Sequence, residues 1–70
     1  MLPLSCAQAG EEHTVKKVGG KPEVKQHLKD LGFVEGTNIR VVSVLAGSQI
    51  IEVKNVRIAL NRDLAAKIMI

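Results

Sequence analysis

The sequence contains no tryptophan or tyrosine and only one phenylalanine among its 70 residues. Modules that bind single-stranded nucleic acid stack bases on aromatic side chains, and this chain offers no such platform. Grooves that bind proline-rich peptides are also lined by aromatic residues. The scarcity of aromatic residues therefore argues against both kinds of module and predicts a core of valine, leucine and isoleucine.

Cysteine and long apolar runs are scarce as well. A single cysteine excludes an internal disulfide and a zinc site built from several cysteines. A fold without disulfides suits a reducing compartment, so we expect a cytoplasmic location. No apolar run approaches the ~20 residues that a membrane-spanning helix needs, and the first residues do not resemble a signal peptide. The formal net charge of +3 is too small to indicate nucleic-acid binding.

One amphipathic helix is predicted between Pro22 and Leu31. Val24, Leu28 and Leu31 recur at spacings of four and three, which places them on one face of a helix. Proline is favoured at the first helical position. Gly32 stands where helices often end with a residue of positive φ. The glycine turn that follows should direct the chain from this helix into a sheet.

Short strands are predicted on both sides of the helix. The first covers residues 11–18, with a bulge near Lys16-Lys17 because its apolar positions, Val15 and Val18, differ in parity. Three more are predicted over 39–45, 49–54 and 56–60. A short helix capped by Asn61 precedes a closing strand over 68–70. We expect a single, mostly β domain over residues 1–70, a small barrel of about five strands that leaves no sheet edge exposed.

Ionisable side chains on the helix suggest two candidate sites. The first candidate is a metal site for Fe(II) or another divalent cation, formed by Glu23, His27 and Asp30. Their spacings of four and three residues are those of metal ligands carried by a helix. The alternative is that these residues form a solvated polar border. The second candidate is a cationic stripe that could meet phosphate, anionic lipid or an acidic protein surface, or could simply keep this face in solution. It consists of Lys21, Lys25 and Lys29.

No arrangement of residues typical of an enzyme is found. The chain lacks a nucleophile with a neighbouring base and lacks paired carboxylates, and Gly19-Gly20-Lys21 does not have the spacing of a phosphate-binding loop. We therefore predict a protein without enzymatic activity and without a required cofactor. A protein-binding groove is predicted at the Val18–Gly20 bend, the Leu28–Val34 corner and the edge of the strand Ile50–Lys54.

In their order along the chain, several short segments resemble the ferrous-iron transport protein A (FeoA) family. They are Pro3-Leu4-Ser5, Gly19-Gly20, the turn over 31–36 (LGFVEG), Arg57-Ile58-Ala59-Leu60 and Ile68-Met69-Ile70. The resemblance covers essentially all 70 residues. Two departures concern surface segments: the helix carries lysines where many relatives have arginines, and Ala46-Gly47-Ser48 is shorter than their loop with Gly-Asp-Pro.

The resemblance implies an SH3-like barrel and an accessory or regulatory protein of bacterial ferrous-iron uptake. Its implied partner is the cytoplasmic, GTPase-bearing part of the membrane transporter FeoB, with neither nucleic acid nor the membrane interior as a partner. We expect contact through a hydrophobic groove flanked by lysines. The predicted contact residues are Lys21, Lys25, Lys29, Leu28, Phe33 and Val34.

The same barrel also resembles the C-terminal domain of metal-dependent repressors of the diphtheria-toxin-regulator type. Two alternatives follow from this second resemblance: a metal-binding or metal-sensing domain, and a ligand domain that holds a proline-rich segment. Because the chain starts at Met1 and has no room for a DNA-binding domain, the free-standing form is expected.

Overall fold

The computed structural model describes residues 1–70 and contains six strands, two α-helices and one short 3-10 turn. In chain order they are the turn Leu4–Cys6, β1 (Glu12–Thr14), β2 (Lys17–Val18), α1 (Pro22–Asp30), β3 (Asn38–Leu45), β4 (Ser48–Val53), β5 (Val56–Asn61), α2 (Arg62–Ala65) and β6 (Ile68–Met69). Four strands form an antiparallel sheet in the order β1-β3-β4-β5, and β2 pairs with β6 in a second sheet. The predicted mostly β fold, with one main helix and a short helix before the last strand, is confirmed.

The segment predicted as a single strand over 11–18 is two strands that belong to different sheets. Glu12–Thr14 pairs with β3, whereas Lys17–Val18 pairs with β6. Val15 lies between them, is buried, and donates its N–H to the carbonyl of Thr37 at 2.9 Å. The prediction of one bulged strand was wrong, because a chain that turns a corner between two sheets changes the parity of its buried positions just as a bulge does.

The core is a single cluster of thirteen buried hydrophobic residues. Its members are Leu4, Ala7, Val15, Leu28, Phe33, Ile39, Val41, Ile51, Val53, Leu60, Ala65, Ile68 and Ile70. Phe33 is the largest of the fully buried side chains, and the others are aliphatic. In α1, Leu28 is buried while Val24 and Leu31 pack against the cluster from its margin. The predicted apolar stripe therefore attaches the helix to the sheets.

The corner after α1 has the predicted form. Gly32 has φ +108°, a conformation that side chains other than glycine's rarely adopt. A Cβ atom at this position would also lie 3.5 Å from a methyl group of Val53. The N–H of Phe33 donates to the carbonyl of Leu28 at 3.0 Å and closes the turn. Together these features direct Phe33 into the core immediately after the helix ends.

Two tight hairpins set the register of the large sheet. β3 and β4 are joined by Ala46–Gly47, and β4 and β5 by Lys54–Asn55. Lys54 and Asn55 both have positive φ, +51° and +66°, as a type I′ turn requires. β4 therefore lies between β3 and β5, and the predicted sheet edge at Ile50–Lys54 is wrong. β5 is the outer strand, so the barrel does leave an edge unpaired.

Candidate docking surface

A groove lies between β2 and the corner that follows α1, with a volume of about 370 Å³. Three of its lining residues are apolar and three are charged. They are Val18, Phe33 and Val34, and Lys25, Lys29 and Glu35. We call this the α1–β2 groove. Two of the three segments predicted to form a groove, the Val18–Gly20 bend and the Leu28–Val34 corner, meet here.

A glycine pair positions β2 against α1. The N–H of Gly19 donates to the carbonyl of Lys67 at 2.7 Å, which holds the end of β2 beside the segment before β6. Gly20 has φ +99°, and a Cβ atom there would lie 2.9 Å from the side chain of Lys67. The chain can therefore turn sharply into α1 at this point. Lys25 and Lys29, one helical turn apart, consequently lie on the side of α1 that faces Val18.

The predicted partner-binding residues divide into surface and core. Lys25, Lys29 and Val34 line the groove and are exposed or half-buried. Phe33 also lines it, but its exposed fraction is only 1%. Leu28 is fully buried and outside the groove, so it cannot contact a partner directly. Lys21 is exposed but does not line the groove. Contact between the surface residues and a partner remains a prediction.

The predicted metal ligands are not assembled into a site. No group of three histidine, cysteine, aspartate or glutamate side chains lies close enough to hold one ion. Glu23 and Asp30 are separated by about 10 Å of helical rise, too far for one coordination sphere. Asp30 instead accepts a hydrogen bond from Gln26 Nε2 at 2.8 Å. Metal binding by α1 would have to use His27 with a single carboxylate, and it remains a prediction.

A larger depression, of about 610 Å³, lies over the polar face of β1, β3 and β4. Two of the charged residues in its lining, Arg40 and Glu52, pair with each other, and Glu52 also lies near Arg57 on β5. Glu52 lies 3.5 Å from the guanidinium of Arg40 and 3.8 Å from that of Arg57. Because these residues face each other across adjacent strands, the pairs fit the register of the sheet. We regard this surface as a solvated sheet face, and sequence analysis did not identify it.

One carboxyl beside this face has a shifted pKa. Glu11 Oε1 lies 2.9 Å from His13 Nε2 and accepts the backbone N–H of Gln8 at 3.1 Å. The hydrogen bond with His13, and then the one from Gln8, lower the pKa of Glu11 below its usual 4.5. Both side chains are accessible to water. The pair organises the segment that enters β1.

None of the helices is both long and apolar enough to cross a membrane. Two small antiparallel sheets, a corner helix and a groove with an apolar floor define a small SH3-like domain whose surface is suited to binding. The sequence profile of the FeoA domain matches residues 2–70. The chain belongs to the FeoA family, and it is accordingly a ferrous-iron transport protein that serves as a non-catalytic accessory.

Individual relatives agree with this assignment. A protein of Methanocaldococcus jannaschii, provisionally named Fe(2+) transport protein A, is 39% identical over 70 residues, which is 100% of this chain and 85% of that protein. The crystal structure of an iron uptake regulatory protein (FeoA) superposes with a TM-score of 0.90 at 32% identity, covering 97% of this chain and 90% of the other.

Two further structures confirm the predicted fold. Stenotrophomonas maltophilia FeoA, described as an SH3 domain protein and solved in complex with zinc, has a TM-score of 0.84 at 24% identity and covers 99% of this chain and 88% of that one. A manganese-dependent transcriptional repressor has a TM-score of 0.87 at 19% identity, over 94% of this chain but 38% of its own. The resemblance to the repressor concerns the fold alone.

Proposed function

We propose that this protein is a cytoplasmic accessory factor that docks on the GTPase-bearing part of the ferrous-iron transporter FeoB and modulates Fe(II) transport. The observation that carries the proposal is the α1–β2 groove. Its floor is apolar and its rim carries Lys25 and Lys29. Such a groove suits a partner that presents an apolar side chain surrounded by acidic groups.

The charge around the groove supports an acidic partner. Lys17 within β2 and Lys21 at the start of α1 are exposed, and no carboxylate lies within 4 Å of either lysine. Unpaired cations accelerate the approach of an acidic surface and select against basic ones. The apolar floor then supplies the burial that keeps the partner bound.

A domain of this kind modulates a GTPase through binding alone. If it binds one conformation of the GTPase part more tightly than another, it shifts the population towards that conformation. The size of the shift is limited by the ratio of the two affinities. The proposed function therefore needs a docking surface but no reacting group on this chain.

The test is a calorimetric titration of this protein with the soluble GTPase domain of FeoB from the same organism. We expect saturable binding that weakens as salt is added, because salt screens the lysines. Reversing both rim charges, Lys25→Glu with Lys29→Glu, should weaken binding about tenfold or more. The matched control is Lys54→Glu with Arg62→Glu, which also reverses two exposed cations, both outside the groove.

Two results would contradict the proposal. One is the absence of binding at high concentration when circular dichroism shows both proteins to be folded. The other is an equal loss of affinity in the Lys54/Arg62 control and in the Lys25/Lys29 variant, since that would show general charge attraction instead of docking at the groove.

A further inference from the structure

β5 is the outer strand of the four-stranded sheet, and no other strand pairs with its outer side. It extends over six residues, about 20 Å of extended chain. Arg57, Ala59 and Asn61 are exposed along it. The barrel is therefore open at this strand.

The register with β4 determines which backbone groups point outward. The type I′ turn makes Val53 and Val56 a hydrogen-bonded pair, so bonding to β4 alternates from there along β5. The backbone of Arg57 and of Ala59 is thereby directed away from β4. None of the backbone bonds formed outside regular elements involves either residue. Two N–H groups and two carbonyls are thus available to an added strand.

The strand lacks the features that usually protect a sheet edge. Natural edges are blunted by prolines, bulges or several charges. β5 contains no proline, its pairing with β4 runs without a register shift, and Val56 is 57% exposed. Its one charged residue, Arg57, directs its guanidinium sideways towards Glu52. The edge is regular and open over its whole length.

Charge indicates what kind of strand would fit. Lys54 precedes β5, Arg57 lies within it, Arg62 follows it, and the strand itself contains no acidic residue. A second copy of this chain would bring these cations together with their equivalents, at a formal net charge of +3 on each copy. Like charges that face one another across strands are destabilising, so pairing between copies is disfavoured and an acidic segment is favoured.

We propose that the outer edge of β5 is a docking site for an extended segment of a protein partner in which apolar and acidic residues alternate. The partner's backbone bonds to Arg57 and Ala59 as an added strand. Its apolar side chains lie over Val56 and Ile58, and its acidic side chains lie on the face that carries Arg57. This site shares no residue with the α1–β2 groove and does not depend on the function proposed for that groove.

The experiment is an NMR titration of the isotope-labelled full chain with an eight-residue probe peptide, Thr-Val-Glu-Val-Thr-Val-Glu-Thr, blocked at both ends. We expect slowed amide exchange at Arg57 and Ala59 as the peptide binds. A peptide of the same composition in the order Val-Val-Val-Thr-Glu-Glu-Thr-Thr has the same charge but loses the alternation, and it should bind about tenfold more weakly or not at all.

Ala59→Pro is the decisive variant. It removes an N–H that β4 does not use, and proline is tolerated on the outer side of an edge strand. Loss of that bond, with a partner carbonyl left unpaired, should weaken the peptide about tenfold. Ala59→Val keeps the N–H and should bind like the parent chain.

Arg57→Glu retains every backbone bond and should weaken the peptide severalfold, so it tests the site even if Ala59→Pro does not fold. The double variant at Lys25 and Lys29 should bind the peptide as the parent does. The proposal is overturned if the reordered peptide binds equally well, if folded Ala59→Pro or Arg57→Glu keeps full affinity, or if the unliganded chain already pairs with itself through β5.

Discussion

Gln49 is the buried polar side chain of the core, and its replacement by glutamate gives a sharp test of the structure. Its exposed fraction is 4%. Its Nε2 donates to the carbonyl of Leu4 at 3.0 Å and to that of Ala7 at 3.2 Å. The amide thereby ties the first turn of the chain to the start of β4. Its Oε1 is buried without a partner.

Gln49→Glu keeps the size of the side chain but replaces the hydrogen-bond donor by an acceptor. At pH 7 a carboxylate would face two carbonyl oxygens to which the amide had donated hydrogen bonds. A buried charge without a partner costs about 3–5 kcal/mol. A domain of 70 residues has a total free energy of unfolding of about 4–10 kcal/mol. We therefore expect the variant to be barely stable at pH 7.

The penalty should diminish as pH falls. Burial opposes ionisation, so the folded state raises the pKa of the introduced carboxyl above its unfolded value of about 4.3. Between these two values the folded state holds a proton that the unfolded state has released. The free energy of unfolding of the variant should then rise by about 1.4 kcal/mol for each unit of pH decrease. A protonated carboxyl can also donate to one of the two carbonyls.

The measurement is urea unfolding followed by far-ultraviolet circular dichroism at pH 7, 6 and 5, since the chain has no tryptophan or tyrosine for fluorescence. Gln8→Glu makes the same chemical change at an exposed residue and should alter stability by less than about 0.5 kcal/mol. A variant at Gln49 that is as stable as the parent at pH 7, or equally destabilised at all three pH values, would refute the assigned burial and hydrogen bonding.

Two further predictions concern the ionisable groups of the surface. Because no three ligands are assembled on α1, His27→Ala should change the affinity for Zn(II) or Fe(II), measured by calorimetric titration, less than about twofold; a clear loss of tight binding would contradict the geometry. The lowered pKa of Glu11 stabilises the folded state above pH 4.5, and this contribution is lost as pH falls through the lowered value. Glu11→Gln should therefore differ from the parent in urea unfolding above pH 4.5 and approach it in more acidic solution, whereas a difference that grows with acidity would contradict the assignment.

Much of the fold could be predicted because its signals are local. The helix over Pro22–Asp30 follows from the spacing of its apolar residues and from proline and glycine at its ends. The N-cap of α2 was predicted in the same way: Asn61 Oδ1 accepts the N–H of Leu64 at 2.8 Å. The three middle strands follow from alternation between turn residues. These preferences act within a few residues, so a sequence pattern records them.

Part of the docking surface was also predictable from the sequence. The lysines one helical turn apart and the apolar corner after Gly32 indicated where a groove would form, and Lys25 and Lys29 do line it. Leu28 belongs to the predicted apolar stripe, which already indicated that it faces inward. The pattern could not show that Phe33 is buried as well, because an apolar residue at a corner serves the core or a partner equally well by composition. The burial of both residues results from contact with strands far away in the sequence.

Composition and local spacing alone determined an aliphatic core, one amphipathic helix closed by a glycine corner, and a chain of hairpins. The tertiary structure decided which strand lies at the edge, where the first strand divides between two sheets, and that Gln49 faces the core. The physical reason is that strand order and burial depend on which distant segments meet. The arrangement of distant segments minimises the exposed apolar surface of the whole chain. No short stretch of sequence contains the information that determines this arrangement.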